Sequence, residues 1–403
     1  MNDRALAGIR VVEFGDLVAV PYAGKLMADL GAEVIKVERP QSGDASRRRG
    51  PFAGKDPHPE RSGLFVYLNC NKRGVTLDVT QPRGRELLRT LASKADVVLH
   101  DLRDSELADQ GLDYPALASA NPGLVMTSVT PFGASGRHAG YAATDLVAWS
   151  AGGVTTLNGG GPGTDDMPPL KAFGSQAGFQ GGVNAALATL AAVYERLTSG
   201  LGQQIEVSIQ ECVVSILELT FEYWPYQRAV ASRLGMKPIQ PLDFIECADG
   251  WIFLCCVEEH QWKGWVDLMG NPEWADIELF ENRLTRGANW DALKIFLSEW
   301  CADKKVDELY RTAQHRRIPI APVSTMGDLL SSEHLKARGF FATLDSPDIG
   351  SVAMPGAPYK MSLTPWRLER PAPRLGEHNR EVYAQWLGLE DDALGRLRSG
   401  GII

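Results

Sequence analysis

The chain has 403 residues, 44% of them hydrophobic, and a formal net charge of −9 from 50 Asp and Glu against 41 Lys and Arg. That length exceeds what one hydrophobic core usually serves, so two domains are expected. The acidic balance argues against an extended nucleic-acid-binding surface, while leaving room for a local basic pocket that takes a phosphorylated ligand.

Met1-Asn2-Asp3-Arg4 runs straight into an alternating apolar strand without the apolar core of a signal peptide. No later stretch approaches ~18 uninterrupted apolar residues, which predicts a soluble, cytoplasmic protein. Gly8 to Phe14 reads as the first strand. Pro21 sits where a helix can begin, Tyr22 to Leu30 carries it, and Gly31 can take the left-handed conformation that ends it. Glu33 to Glu38 is the second strand and Val75 to Val79 the third, followed by a helix from about Pro82 to Lys94 and strands at Asp96 to His100 and Leu124 to Thr130.

This alternation is the pattern of an α/β fold with a doubly wound parallel sheet, whose ligand loops gather at the carboxyl ends of the strands. Those loops are Gly15 to Val20, Arg39 to Ser46, the stretch after Val79, and Asp101 to Ser105. The glycine-rich stretch from Gly152 to Gly182, with Asn158-Gly159-Gly160-Gly161-Pro162-Gly163, reads as an active-site loop.

Phe179 to Thr198 is a nearly continuous Ala- and Leu-rich helix former, expected to be buried, and Gln203 to Ser208 is a strand before another long helix. Beyond Pro241 the character changes. The Asp249-Gly250 turn before Trp251 to Val257 and the Trp-rich helical stretch after it point to a smaller α/β domain. The boundaries expected are 1–225 for the first part of the large domain, 226–325 for the small domain, and 326–403 for a linker and a return to the large domain. In that tail Pro355, Pro358, Pro365, Pro371 and Pro373 predict mostly extended chain until a final helix near Asn379.

The common motifs of catalysis are missing. Gly15-Asp16-Leu17-Val18-Ala19-Val20 lacks the spaced glycines of a dinucleotide fingerprint, and there is no P-loop, G-x-S-x-G elbow or H-E-x-x-H. Six cysteines, Cys70, Cys212, Cys247, Cys255, Cys256 and Cys301, form no CxxC pair and have no histidine at zinc-ligand spacing, so they read as reduced thiols and no metal is expected. Arg39 and the Arg47-Arg48-Arg49 run have the chemistry to hold phosphates, although for the run a solvated surface is the plainer reading. Lys72 and Arg73 beside Asn69 and Asn71 read as a strand-entry turn. Trp224, Tyr223 and Tyr226 would suit an aromatic pocket, but aromatics at helical spacing are more often core.

Longer strings carry more. Leu6-Ala7-Gly8-Ile9-Arg10-Val11-Val12-Glu13-Phe14, Pro21, and Ala28-Asp29-Leu30-Gly31-Ala32-Glu33-Val34-Ile35-Lys36-Val37-Glu38-Arg39-Pro40 are followed in order by Leu68 to Arg73, Thr76-Leu77-Asp78, Asn121-Pro122, Phe132-Gly133, Thr198 to Gln204 and Leu375-Gly376-Glu377-His378. Together they resemble the class III (CaiB/BaiF) CoA-transferases along essentially the whole chain. The resemblance implies a large Rossmann-like domain and a small domain, joined by two long linkers into a ring, with two rings interlocked as a dimer. It implies an acyl-CoA thioester as substrate, a carboxylic acid as acceptor and no permanently bound cofactor. The positions matching the family's CoA contacts are Val18, Ala19, Arg39, Leu77, Asp78, Val79 and Thr80. In the next family segment, usually Glu-Asn-Phe-Arg-Pro-Gly, this chain has His100-Asp101-Leu102-Arg103-Asp104-Ser105, so only Arg103 is retained.

Counting back from Leu190-Ala191-Ala192-Val193-Tyr194-Glu195-Arg196, the family's catalytic aspartate falls on Gly178. A family transferase uses that carboxylate to attack the thioester, forming a mixed anhydride that the departing CoA thiolate attacks in turn. Glycine has no atom for this, and the upstream Asp165 and Asp166 read as a solvated turn. No catalytic residue is therefore assigned. The reading carried forward is the aspartate-lacking subunit of a heteromeric transferase such as succinyl-CoA:benzylsuccinate CoA-transferase, paired with an Asp-bearing paralogue. Alternatives are a stand-alone acyl-CoA enzyme of different, isomerase-like chemistry, a homodimer, and a non-catalytic acyl-CoA binder. Racemisation needs a histidine and an aspartate, whose positions hold Thr144 and Gly178.

Overall fold

The computed structural model describes residues 4–159, 164, 166–233 and 239–403. They form two compact units. The first is built from the residues up to 158, Pro169–Ala231 and Gly339–Ile403, and the second from the described residues of Gly159–Pro168 and Ser232–Arg338.

The first unit runs β1 (Arg10–Phe14), α1 (Ala19–Asp29), β2 (Glu33–Glu38), α2 (Gly63–Asn69), β3 (Arg73–Thr76), α3 (Pro82–Ser93), β4 (Val97–His100), α4 (Asp104–Ala108), α5 (Tyr114–Ala120), β5 (Val125–Thr130), α6 (Asp145–Ala151), α7 (Gln176–Ser199), β6 (Gln204–Ser208), α8 (Ile209–Val214) and α9 (Glu218–Gln227). The six strands make one parallel sheet in the order β3-β2-β1-β4-β5-β6. The chain winds outward from β1 to β3 and then crosses back to β4, so the order reverses between β1 and β4.

Strand alternation sorts the core into two layers. Val11, Val34, Val97 and Val125 face the layer that includes α1 and α7 residues, whereas Val12, Ile35, Val98 and Met126 face the layer that includes α3 residues, Val382 and Leu394. α1 packs closely on α7: a Cβ on Gly182 would lie 2.6 Å from the Ala19 carbonyl oxygen, so only glycine allows this approach. α1 begins three residues earlier than the sequence predicts, with Pro21 tolerated in its first turn. It ends before Gly31, whose φ of +103° is the left-handed conformation expected there.

The second unit has an antiparallel sheet, β7 (Leu242–Cys247), β8 (Gly250–Cys255) and β9 (Ile320–Pro322), with α10 (Glu259–Met269), α11 (Arg283–Ala288), α12 (Trp290–Cys301), α13 (Val306–His315), α14 (Met326–Ser331) and α15 (Glu333–Ala337). Trp262, Trp265, Phe280, Leu293 and Leu297 fill its core. Arg286 is fully buried there, with its guanidinium 4.9 Å from the Trp262 ring centroid and hydrogen-bonded to Glu259.

The chain then re-enters the first unit. Instead of the extended connection expected from its prolines, it forms the hairpin β10 (Phe341–Ser346) and β11 (Gly350–Pro355), then α16 (Asn379–Leu387) and α17 (Asp391–Ser399). The returning segment seals the outer edge of β3. Asn379 Oδ1 accepts from the Thr76 amide and its Nδ2 donates to Thr76 Oγ1, both at 2.8 Å, while the Tyr383 hydroxyl donates to the Thr76 carbonyl. Among the described residues no helix is long and apolar enough to cross a membrane.

Candidate active site

Phe14, Glu38, Thr76 and His100 end the four strands β1 to β4, and the loops beyond them enclose a cleft at the reversal point of the sheet. Phe14, Val37, Leu77, Val79 and Leu102 supply apolar lining, and Asp16, Arg39, Asp44 and Asp101 supply charge. Asp16 and Asp101 flank the reversal point, because one follows β1 and the other follows β4. The Asp16 amide donates to Asp101 Oδ2 at 2.7 Å. Burial pushes the Asp101 carboxyl up to about 7 and also raises Asp16, where the neighbouring Asp44 adds to the effect. Arg39 lies at the rim, two-thirds exposed, with Nη1 3.4 Å from Asp16 Oδ2.

Beneath the cleft lies a chain of buried charges. Lys36 Nζ is 2.7 Å from Asp44 Oδ2 and 3.1 Å from Glu13 Oε1, and Lys72 Nζ is 2.7 Å from Glu13 Oε2. Glu13, Lys36 and Lys72 are all completely buried. Such ions are tolerated only when paired and hydrogen-bonded, and Lys72 gains further acceptors in Pro21 O and Asn69 Oδ1. Burial opposes the charge on Lys36, but Asp44 and Glu13 outweigh it and raise its pKa. For Lys72 burial dominates, and its pKa falls to about 8. Glycine at position 24 is required here, since a Cβ would stand 1.9 Å from Glu13 Oε2.

Gly178 lies in the first turn of α7, beside the start of α1. A Cβ built on it would be 3.0 Å from Val18 Cβ and 3.7 Å from Asp145 Oδ1. The Gly178 amide donates to Asp145 Oδ1 at 2.8 Å, and Asp145 Oδ2 lies 3.1 Å from Lys171 Nζ. Lys171 also donates to the carbonyls of Ala172 and Gly174. Next to Gly178, Phe179 meets the Tyr22 ring edge-on at 4.8 Å. The Asp145 carboxylate at this position comes from the first turn of α6, where it serves as acceptor for an α7 amide.

The residues singled out in the sequence do not converge on one place. Arg39, Leu77 and Val79 line the cleft; Asp78 and Thr80 form a turn just beyond it, with the Thr80 amide and hydroxyl donating to Asp78 Oδ1. Arg103 is exposed as the N-cap of α4, one residue beyond the cleft-lining Leu102. Val18 and Ala19 sit with Gly178. Thr144 precedes α6 as its N-cap, and Asp166 is exposed, whereas Asp165 and Gly160 to Gly163 of the glycine-rich loop lie outside the described residues.

Three expectations are corrected and a fourth is extended. Arg47 is not on a solvated surface: it is buried, holds both Glu38 oxygens at 2.7 and 2.8 Å, and stacks 3.6 Å from the Phe65 ring centroid. Lys72 belongs to the buried ion network as well as to the strand-entry turn. The aromatics of α9 are not core, since no residue of that helix is buried; Trp224 lines an apolar groove with Leu217, Phe221 and Val230. α7 is buried along one side only. The sequence also pointed past Asp16, Asp101 and Asp145. The first two lie within the loops identified as ligand loops, and Asp145 adjoins Thr144.

Comparison with known proteins gives a consistent result. The family model described as CoA-transferase family III matches residues 6–379. The chain is 30% identical over 403 residues to succinyl-CoA–D-citramalate CoA-transferase of Chloroflexus aurantiacus, covering 99% of this chain and 98% of that protein. It is 32% identical to subunit BbsE of succinyl-CoA:(R)-benzylsuccinate CoA-transferase of Thauera aromatica, covering 95% and 94% of the two chains. The crystal structure of a CAIB/BAIF family protein from Brucella suis superposes with a TM-score of 0.85 at 30% identity, covering 95% of this chain and 99% of that one.

Proposed function

This chain belongs to CoA-transferase family III, and from that premise we propose that it is the non-nucleophilic subunit of a heteromeric enzyme that moves CoA from an acyl-CoA donor to a carboxylic acid. The observation that carries this reading is Gly178. The position matching the family's catalytic aspartate has no side chain, and its amide is occupied by Asp145. Asp145 is held by that amide and by Lys171, so it is committed to structure rather than free to attack a thioester. The relative named as subunit BbsE shows that members of this family act as subunits, which supports the same reading.

In this proposal the chain keeps the CoA-binding frame. The cleft between β1 and β4 takes part of the CoA, with Arg39 exchanging Asp16 for a phosphate oxygen and Leu77 and Val79 offering apolar contact. Val18 and Ala19, beside Gly178, lie toward the reacting end. The nucleophilic carboxylate comes from a paralogous chain of the same fold, and the ring-shaped protomer interlocked with its partner is part of the same proposal.

The test has two arms. The purified chain alone is expected to transfer CoA from succinyl-CoA to carboxylic acids no faster than background and to yield no hydroxylamine-sensitive adduct by mass spectrometry. Co-expressed with a paralogue carrying Asp at the equivalent position, it should co-purify and turn over, and replacing the paralogue's aspartate with Ala should abolish transfer. Robust turnover by the lone chain, with an adduct on one of its own carboxylates, overturns the reading.

A further inference from the structure

The cleft that the proposed reading gives to CoA is short of positive charge. Three carboxylates, Asp16, Asp44 and Asp101, stand against two cations, Lys36 and Arg39, while the neighbouring Glu38 is satisfied by Arg47. Asp44 has its cation beneath the cleft and Asp16 has Arg39 at the rim. Asp101 has neither. Among the described residues its carboxyl makes no ion pair, and its one hydrogen bond comes from the Asp16 amide at 2.7 Å. Lys36 acts on it only at longer range, being committed to Asp44 and Glu13. From the β3 side Leu77 and Val79 bring no charge, and Asp78 is taken up by Thr80 and Gln81. On its own loop, His100 is buried and neutral against Phe14, and Arg103 is exposed beyond the cleft.

We propose that Asp101 takes up a proton when CoA enters this cleft, so that the site holds its polyanionic ligand with this carboxyl neutral. The inference rests on the reading that the cleft takes CoA. When Arg39 leaves Asp16 for a phosphate oxygen, Asp16 loses its ion-pair partner, and two carboxylates joined through one amide face the incoming negative charge. Neutralising one of them is the least unfavourable adjustment, and Asp101 is the one that no cation holds ionised. Among the apolar side chains of Phe14, Leu77 and Leu102 its carboxyl already sits near 7, because burial opposes the charged form, so the step is small. The proton comes from solvent, and no covalent bond of CoA changes. A carboxyl whose pKa rises on binding gives the highest affinity below its free value and a falling affinity as the pH climbs through it.

Titration calorimetry with acetyl-CoA, whose sulfur does not titrate, counts the protons exchanged from the difference in binding enthalpy between HEPES and Tris buffers at pH 8. About 0.5 to 1 proton should be taken up per ligand. The dissociation constant should rise roughly 5- to 10-fold from pH 7.5 to pH 8.5, a range above the second ionisation of a phosphate at about 6. Asp101→Asn keeps the shape and the acceptor for the Asp16 amide. It should bind without proton uptake, lose the pH dependence, and hold acetyl-CoA about 10-fold more tightly than the wild type at pH 8.5. The wild-type proton count decides the matter by itself if the variant misfolds. Binding that Arg39→Ala weakens but that takes up no proton would overturn this inference and leave the CoA reading standing, as would uptake that persists in folded Asp101→Asn. A wild-type chain that does not bind acetyl-CoA at all would overturn both.

Discussion

The carboxylate of Asp145 bridges the Gly178 amide at 2.8 Å and the Lys171 ammonium at 3.1 Å, so one side chain of α6 ties down both the first turn of α7 and the segment leading into it. The N-cap residue of α7, Ser175, gives no side-chain capping bond, which leaves Asp145 as a substitute acceptor at a helix end that favours negative charge. Asp145→Ala is expected to lower stability by about 1–2 kcal/mol, a typical capping loss. Asp145→Asn should recover part of it, because the amide oxygen still accepts from Gly178 while the Lys171 attraction is gone. Urea denaturation of the three proteins reads the difference.

Arg39 and Asp16 face one another at the rim of the cleft, two-thirds and about one-third exposed. Arg39→Ala is expected to weaken CoA binding by about 1.5–3 kcal/mol, the usual worth of a charge-assisted hydrogen bond. Asp16→Asn should act in the opposite sense and tighten binding, since it releases Arg39 and removes a carboxylate from the path of a polyanion. Titration calorimetry with CoA measures both. Equal affinity in all three proteins would mean that this rim does not contact the ligand.

His100 ends β4 fully buried, stacked on Phe14 at 5.4 Å, and burial brings its pKa down to about 4. The unfolded chain binds this proton below about 6.5 and the folded chain does not until about 4. The stability contributed by neutral His100 is therefore present above pH 6.5 and lost as the pH falls through that window. At pH 5 the loss should reach about 2 kcal/mol. Comparing the wild type with His100→Phe by denaturation at pH 5 and pH 7.5 isolates this slope, which the variant should lack.

The parallel sheet was legible because its strands are apolar on both faces and separated by helix signals, so the strand at Glu33 to Glu38 agrees with the structure to the residue and those at β4, β5 and β6 to within one. The hairpin at Phe341 to Pro355 was not, because five prolines in the tail outweighed a short alternating pattern. Arg47 read as a surface residue, and Lys72 as no more than part of a strand-entry turn, for a related reason. A charged side chain reads as solvated until its partners are known, and Glu38, Glu60 and Glu13 lie 9, 13 and 59 residues away. Gly178 could be located by counting along α7. The carboxylate that occupies its amide lies 33 residues upstream, and no periodicity in the sequence links the two.

The seal on β3 also has a meaning in time. Thr76 waits for Asn379, 303 residues further along the chain, before its backbone is paired on the outer side of the sheet. At about 5–20 residues per second of synthesis, that interval is on the order of 15–60 s. During it the nascent sheet presents a bare edge of the kind that invites wrong pairing. The ribosome-bound chain therefore carries an unpaired strand edge that the finished protein does not. A pause in synthesis anywhere between β3 and α16 would lengthen that exposure, whereas a pause after α16 would not.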